Sequence, residues 1–190
     1  MSPQDGLWVA WGSWAVSWAI AAVWSDRAAA GYGGREALLY YGPIAGGAVL
    51  VFSYGLDRYL PTALTWRIGA AAGWAMVALA VGGFLFAWWA RVHLGRLWSS
   101  GITRKEAHRV VDSGPYALVR HPIYTGLYLA LAATALVRGT VPAALGAAAM
   151  ALGWFVKARI EERFLRQELG AEAYDAYARR VPMLVPFARW

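Results

Sequence analysis

Five apolar runs, at roughly residues 7–24, 38–56, 66–90, 122–137 and 141–158, dominate this chain of 190 residues. Each approaches the ~18–20 residues that a helix needs to cross the hydrocarbon of a bilayer. In lipid, backbone N–H and C=O groups must pair within their own segment, so runs of this length fold as helices. The chain is 59% hydrophobic and only 15% charged, where soluble domains carry about 25% charged residues. Its 12 Trp and 10 Tyr suit many membrane–water boundaries, where such rings concentrate. The expectation is an all-α integral membrane protein with five transmembrane helices. Residues 1–190 would form one membrane domain, with three spans in 1–90 and the chemistry-bearing part in 91–190.

The last two runs are separated only by Arg138-Gly139-Thr140, which predicts a tight antiparallel hairpin. After Lys157 the pattern turns amphipathic through Ile160, Phe164, Leu165, Leu169 and Tyr174. That pattern predicts a C-terminal interfacial helix lying along the membrane surface. Charge orients the spans. With the N-terminus outside, fifteen of the 18 Lys and Arg residues lie on the inner side and three (Arg58, Arg67, Arg138) outside. The positive-inside rule then predicts a cytosolic C-terminus and an uncleaved first helix. Ala28-Ala29-Ala30 looks like a signal-peptidase site, but the segment before the first run carries Asp5 and no Lys or Arg, unlike a signal peptide. The short, Ala- and Trp-rich chain reads as a multi-pass protein of a bacterial inner membrane.

Several chemistries drop out. With no cysteine, disulfides, thiolate metal sites and cysteine nucleophiles are excluded together. His93, His108 and His121 share no ligand spacing, so no metal is expected. The net charge of +7 is assigned to basic helix ends that meet anionic membrane lipid, and not to nucleic acid. No Rossmann or Walker glycine pattern occurs. Trp8, Trp11, Trp14 and Trp18 recur at helical spacing and predict a packing or lipid-anchoring face. Gly42 with Gly46, and Gly69 with Gly73, are GxxxG spacings that predict close helix packing, within the protein or in a homodimer.

Polar and backbone-special residues crowd into Gly114-Pro115-Tyr116-Ala117-Leu118-Val119-Arg120-His121-Pro122-Ile123-Tyr124-Thr125-Gly126. Pro122 suits the first turn of a helix, where its missing N–H has no intrahelical use. His121, preceding proline, is pushed toward an extended conformation. Arg120 then sits beside the positive end of the helix dipole, which implies an anion there. The hairpin should bring Glu161-Glu162, just past the fifth run, close to Arg120, His121 and Tyr124. Helical spacing offers both glutamates a plainer partner, since Lys157–Glu161 and Glu162–Arg166 are i,i+4 pairs.

Taken in order, Gly114-Pro115-Tyr116, the RHPxYxG stretch from Arg120 to Gly126, and Glu161-Glu162 resemble the signature of isoprenylcysteine carboxyl methyltransferases. Phospholipid N-methyltransferases carry a related pattern. The resemblance extends over residues 94–186, with Leu94-Gly95-Arg96-Leu97-Trp98-Ser99 before the motif and Arg180-Val181-Pro182 after it. It implies a membrane methyltransferase that uses S-adenosyl-L-methionine without a Rossmann domain. The cofactor would lie in a cytosol-open pocket, and a lipophilic or lipidated acceptor would enter from the lipid. The resemblance implies that Gly114, Pro115, Tyr116, His121, Pro122, Tyr124 and Gly126 surround the cofactor. It also implies that Glu161 or Glu162 binds the cofactor's amino group.

Elementary chemistry points the same way. A carboxylate answers an amino cation, while Arg120 and N–H groups at a helix start answer a carboxylate. Arg180 or Arg120 is a candidate to hold an acceptor carboxylate in a bidentate pair. A carboxylate acceptor is already ionised, whereas an amine would need a base such as His121 or a glutamate. Carboxyl O-methylation of an isoprenylcysteine or similar isoprenoid acid is therefore the leading expectation, with a phospholipid amine or a small thiol as alternative acceptors. A sterol-reductase-like enzyme would need a nicotinamide cofactor, and the loops offer its second nucleotide no clear site. A non-enzymatic helical scaffold would tolerate loss of His121 and Tyr124.

Overall fold

The structure is a computed structural model that describes residues 1–24, 30–32, 35–95, 98, 102–104 and 111–188. Arg27, Ala28, Ala29, Arg96, Leu97, Ser99, Lys105, His108, Arg109 and Arg189, which entered the charge count, the candidate cleavage site, the flanking motif or the histidine survey, lie outside the described residues.

Among the described residues, six α-helices follow one another: α1 (Pro3–Ala21), α2 (Arg35–Phe52), α3 (Ala70–Leu94), α4 (Pro122–Arg138), α5 (Val141–Leu169) and α6 (Ala171–Arg180). Local chemistry explains where they begin. Ser2 and Asp5 close a reciprocal capping box on α1, which satisfies two otherwise orphaned N–H groups. Pro122 opens α4 directly after His121. The Thr140 side chain accepts from the Ala143 N–H to cap α5. Between α4 and α5, Gly139 adopts a left-handed conformation, φ 63°, so the hairpin turns within two residues. Among the described residues, α3 and α5 are long and apolar enough to cross a membrane, while α2 and α4 are shorter apolar helices. Leu39, Leu85, Leu145 and Leu152 point outward and are exposed. So much outward apolar surface is a liability in water and matches lipid.

Two helix pairs form the body: α2 packs mainly on α5, and α3 mainly on α4. The hairpin partners α4 and α5 touch each other less. The core fills the space between the pairs with Val51, Phe84, Leu127, Leu131, Met150 and Trp154. Helix α1 lays its tryptophan face onto it: Trp11 sits edge-on to Phe84 at 4.8 Å, Trp14 stacks on Phe84 at 5.4 Å, and the Trp11 indole donates to Thr134 at 2.9 Å.

Of the GxxxG glycines, Gly73 does sit at a close approach, where a Cβ would strike Pro3 of α1, while a Cβ on Gly42, Gly46 or Gly69 would meet nothing within 4 Å. A Cβ on Gly126 would instead strike the Gly83 carbonyl, and one on Gly83 the Gly126 carbonyl. The α3–α4 contact thus depends on two facing glycines, and Gly47 with Gly146 does the same for α2–α5. Where helices cross decides which glycine is needed, and spacing along one helix does not contain that information.

Two further departures concern the connections. Strands Ala30–Tyr32 (β1) and Ile102–Arg104 (β2) pair antiparallel, with Gly31 opposite Thr103, a short ribbon in a fold expected to be wholly helical. The amphipathic stretch after Lys157 is not a separate helix up to Leu169. It continues α5 without a break until Gly170, φ 87°, because no residue before Gly170 disfavours the helix. Only α6 is separate. It folds back so that Tyr174, Tyr177 and Val181 bury against Leu165 and Leu169.

Candidate active site

At one end of the α4–α5 hairpin, ionisable and aromatic side chains from three helices converge. His121 lies between the two glutamates. Its Nδ1 is 3.7 Å from Glu161 Oε2 and its Nε2 is 3.4 Å from Glu162 Oε1. The ring stacks on Tyr124 with centroids 5.7 Å apart. The Tyr124 hydroxyl donates to Glu161 Oε1 at 2.8 Å. His121 is only 8% exposed, and its Nε2 faces Glu162 across a contact too long and poorly aligned to count as a close hydrogen bond.

The two glutamates are not equivalent. Glu162 Oε1 takes the Arg120 Nε–H at 2.6 Å. The Arg120 Nη1 donates to the carbonyls of Ala178 and Val181, at 3.1 and 2.7 Å. An anion for Arg120 at the α4 start is thus present within the chain, in Glu162, while Nη1 caps the end of α6. Glu161, by contrast, keeps Oε2 3.7 Å from His121 Nδ1, and among the described residues its short-range donor is the Tyr124 hydroxyl. Lys157 Nζ lies 3.8 Å from Glu161 Oε1. The expected Glu162–Arg166 pair does not form, as Arg166 turns to Asp175 with two bonds of 2.8 and 2.9 Å.

The C-terminal segment completes this end. Backbone N–H groups of Arg120 and His121 donate to the carbonyls of Pro182 and Met183, at 2.8 and 3.1 Å. The Thr125 hydroxyl donates to the Leu184 carbonyl at 2.7 Å. The Arg180-Val181-Pro182 element thus serves through its backbone. The Arg180 side chain itself is 67% exposed and faces Asp112 at 3.3 Å, away from His121 and the glutamates.

The Gly114-Pro115-Tyr116 turn is a short 3-10 segment, Gly114–Ala117. Gly114 has φ 57°, and a Cβ there would fall 2.8 Å from the His93 ring, so both conformation and space call for glycine. His93 bonds Ser113 at 2.9 Å and stacks on Tyr116 at 6.3 Å. The place of His93 beside Gly114 has no signal in sequence spacing. The Tyr116 carbonyl accepts from the Tyr177 hydroxyl at 2.8 Å. Burial, with Tyr177 nearby, pushes the Tyr116 phenol well above its ordinary pKa, so it stays neutral. Pro122 is buried at the α4 start. Gly126 faces α3 and not the glutamates, for the packing reason given above. Among the described residues, no three potential metal ligands gather.

Residues 76–167, which contain His121, Tyr124, Glu161 and Glu162, match the family model described as Isoprenylcysteine carboxyl methyltransferase (ICMT) family. The chain is 36% identical over 88 residues to "Protein-S-isoprenylcysteine O-methyltransferase B" of Arabidopsis thaliana, covering 45% of this chain and 44% of that protein. It is 36% identical over 95 residues to "Cobalt-zinc-cadmium resistance protein CzcN" of Cupriavidus metallidurans, covering 49% and 43%. It is 48% identical over 77 residues to "Methanethiol S-methyltransferase 2" of Bradyrhizobium diazoefficiens, covering 39% and 28%. The aligned stretches thus span less than half the length of each of these relatives.

Proposed function

We propose, from a chain whose residues 76–167 belong to the isoprenylcysteine carboxyl methyltransferase (ICMT) family, that this protein is a multi-pass membrane methyltransferase. It uses S-adenosyl-L-methionine and acts on a lipophilic acceptor at the cytosolic membrane face. The reaction is carboxyl O-methylation of an isoprenylcysteine or a similar isoprenoid acid. The observation that carries this reading is the buried His121 set between two glutamates, with Tyr124 on one of them.

The donor set fits the cofactor. Glu161, whose Oε2 lies 3.7 Å from His121, would take the amino cation, with the His121 ring beside it. Glu162 and Arg120 would not touch the cofactor but hold the His121 backbone against residues 182–183. When bound, S-adenosyl-L-methionine supplies an electrophilic methyl group. The chain's own part is to bind, orient and exclude water. Tyr124 holds Glu161 in place, and the C-terminal segment closes the α4 start. A carboxylate acceptor arrives with its electron pair available, so no side chain has to remove a proton. Orientation and desolvation then supply most of the acceleration.

The 48% identity to a methanethiol S-methyltransferase favours one second reading, a thiol acceptor that reacts as its thiolate. Both readings share the cofactor and an anionic nucleophile. The test is equilibrium binding of S-adenosylmethionine, S-adenosylhomocysteine and NADPH to the purified protein in detergent. Saturable binding of the adenosyl ligands is expected. Its absence sinks the methyltransferase reading, and binding of NADPH alone points to a reductase. Label transfer from methyl-labelled cofactor into membrane extracts then separates ester from thioether products.

A further inference from the structure

The side of α5 that points away from Glu161 carries a stripe that the proposed chemistry does not use. At about 100° per residue, Leu145, Leu152, Phe155, Arg159, Arg163 and Arg166 fall within about 80° of one another around the helix, with Glu161 opposite. All of them are exposed. The leucines and Phe155 match lipid, and beyond them the stripe is arginine. Depth explains the change. Helix α5 has 29 residues and is about 43 Å long, against about 30 Å of hydrocarbon. Arg163 stands about 33 Å from Val141 and Arg166 about 37 Å, which is headgroup depth when Val141 lies at the opposite boundary. Arg166 is matched by Asp175 at 2.8 Å. Arg159 and Arg163 have no carboxylate partner among the described residues. Beside them the chain turns at Gly170, and the elbow between α5 and α6 leaves an open cavity of about 470 Å³ lined by Arg163, Arg166, Gln167 and Ala171.

We propose that this stripe and its cavity bind the headgroup of an anionic phospholipid, whose acyl chains lie along Leu145, Leu152 and Phe155. The site is separate from the cluster around His121 and does not depend on which acceptor is methylated. Arg163 and the Gln167 amide donate to the headgroup phosphate, and Arg159 snorkels to it from the edge of the hydrocarbon. Clustered basic residues at a membrane boundary attract anionic headgroups in this way. A zwitterionic lipid brings the same phosphate together with its own cation, which meets Arg159 as a like charge. A free phosphate leaves the apolar half of the stripe without a partner. An anionic lipid satisfies both halves of a face that stays exposed in the bundle.

The probes are phosphatidylglycerol and phosphatidylcholine with identical acyl chains. Native mass spectrometry of the full chain in detergent, titrated with each, reads the Kd of the first lipid bound. The unsubstituted protein should prefer phosphatidylglycerol by about ten-fold, and Arg163→Gln should cut that preference about five-fold, the worth of one basic residue near an anionic headgroup. The double variant Arg159→Gln with Arg163→Gln should bind the two lipids within about two-fold of each other on the same scale. Arg67→Gln removes the same charge at the other end of the bundle and should keep the full preference. So should Arg163→Lys, which retains the charge. Equal affinity for the two lipids in the unsubstituted protein, or an undiminished preference in the double variant, overturns the proposal. An equal loss in Arg67→Gln also overturns it, since net charge alone would then act. A loss in Arg163→Lys as large as in Arg163→Gln assigns the residue to packing and overturns it too. Displacement of the lipid by millimolar inorganic phosphate makes the cavity a site for a free anion and removes the lipid from it.

Discussion

The two ends of the α4–α5 hairpin are built from the same kind of pair and behave differently. At the turn, Arg138 bonds Asp57 at 2.8 Å, with the arginine side chain 1% exposed. At the other end, Arg120 bonds Glu162 at 2.6 Å, with side chains 13% and 12% exposed. At the turn, backbone groups close the structure around the pair. The Trp66 N–H donates to the Gly139 carbonyl at 2.7 Å, its indole to the Leu136 carbonyl at 3.2 Å, and Thr65 pairs with Thr140. Around Arg120–Glu162 there are more titratable groups than the pair itself uses: His121, Tyr124, Glu161 and Lys157. An arginine–carboxylate pair in an apolar helix pair is thus no sign of a site by itself. The surplus of polar groups around it is.

Substitutions at the two ends should separate stability from binding. The largest effect is expected from Asp57→Asn, which leaves the Arg138 charge buried without its carboxylate. Breaking such a pair costs about 3 kcal/mol or more, read as a lower thermal midpoint in detergent with S-adenosylhomocysteine affinity unchanged. Loss of affinity in that variant would undo the division between the ends. Glu161→Gln comes next. It should weaken S-adenosylhomocysteine binding by roughly ten- to a hundred-fold, the worth of a bond to a charged group, with little change in the midpoint. Normal binding would remove Glu161 from the amino-group role. The smallest effect belongs to Asp175→Asn. It breaks an exposed pair with Arg166, and exposed pairs contribute little. Neither affinity nor midpoint should move measurably.

How much of this was legible beforehand differs residue by residue. The α4 start at Pro122, the two-residue turn at Gly139 and the meeting of His121 and Tyr124 with Glu161-Glu162 follow from helix length and connection length alone. Within the hairpin, the Tyr128 hydroxyl on α4 donates to the Ala151 carbonyl on α5 at 2.8 Å. What spacing could not show was helix rotation. Glu162 had Arg166, His121 and Arg120 within reach on paper, and only the angle at which α6 returns decides for Arg120. The same blindness to rotation hides that Gly126 meets Gly83, and that on α2 it is Gly47, and not Gly42 or Gly46, that faces Gly146. Lys157 was visible only as a helical neighbour of Glu161, because the Tyr40 ring, 5.8 Å from its Nζ, lies far away in sequence.

The pairing of residues 182–184 with 120, 121 and 125 has a consequence in time. Residues 182–184 are made after the α4–α5 hairpin, so its polar end gains this wall late. Until then the backbone N–H groups of Arg120 and His121 and the Thr125 hydroxyl lack the carbonyls they bond in the finished fold.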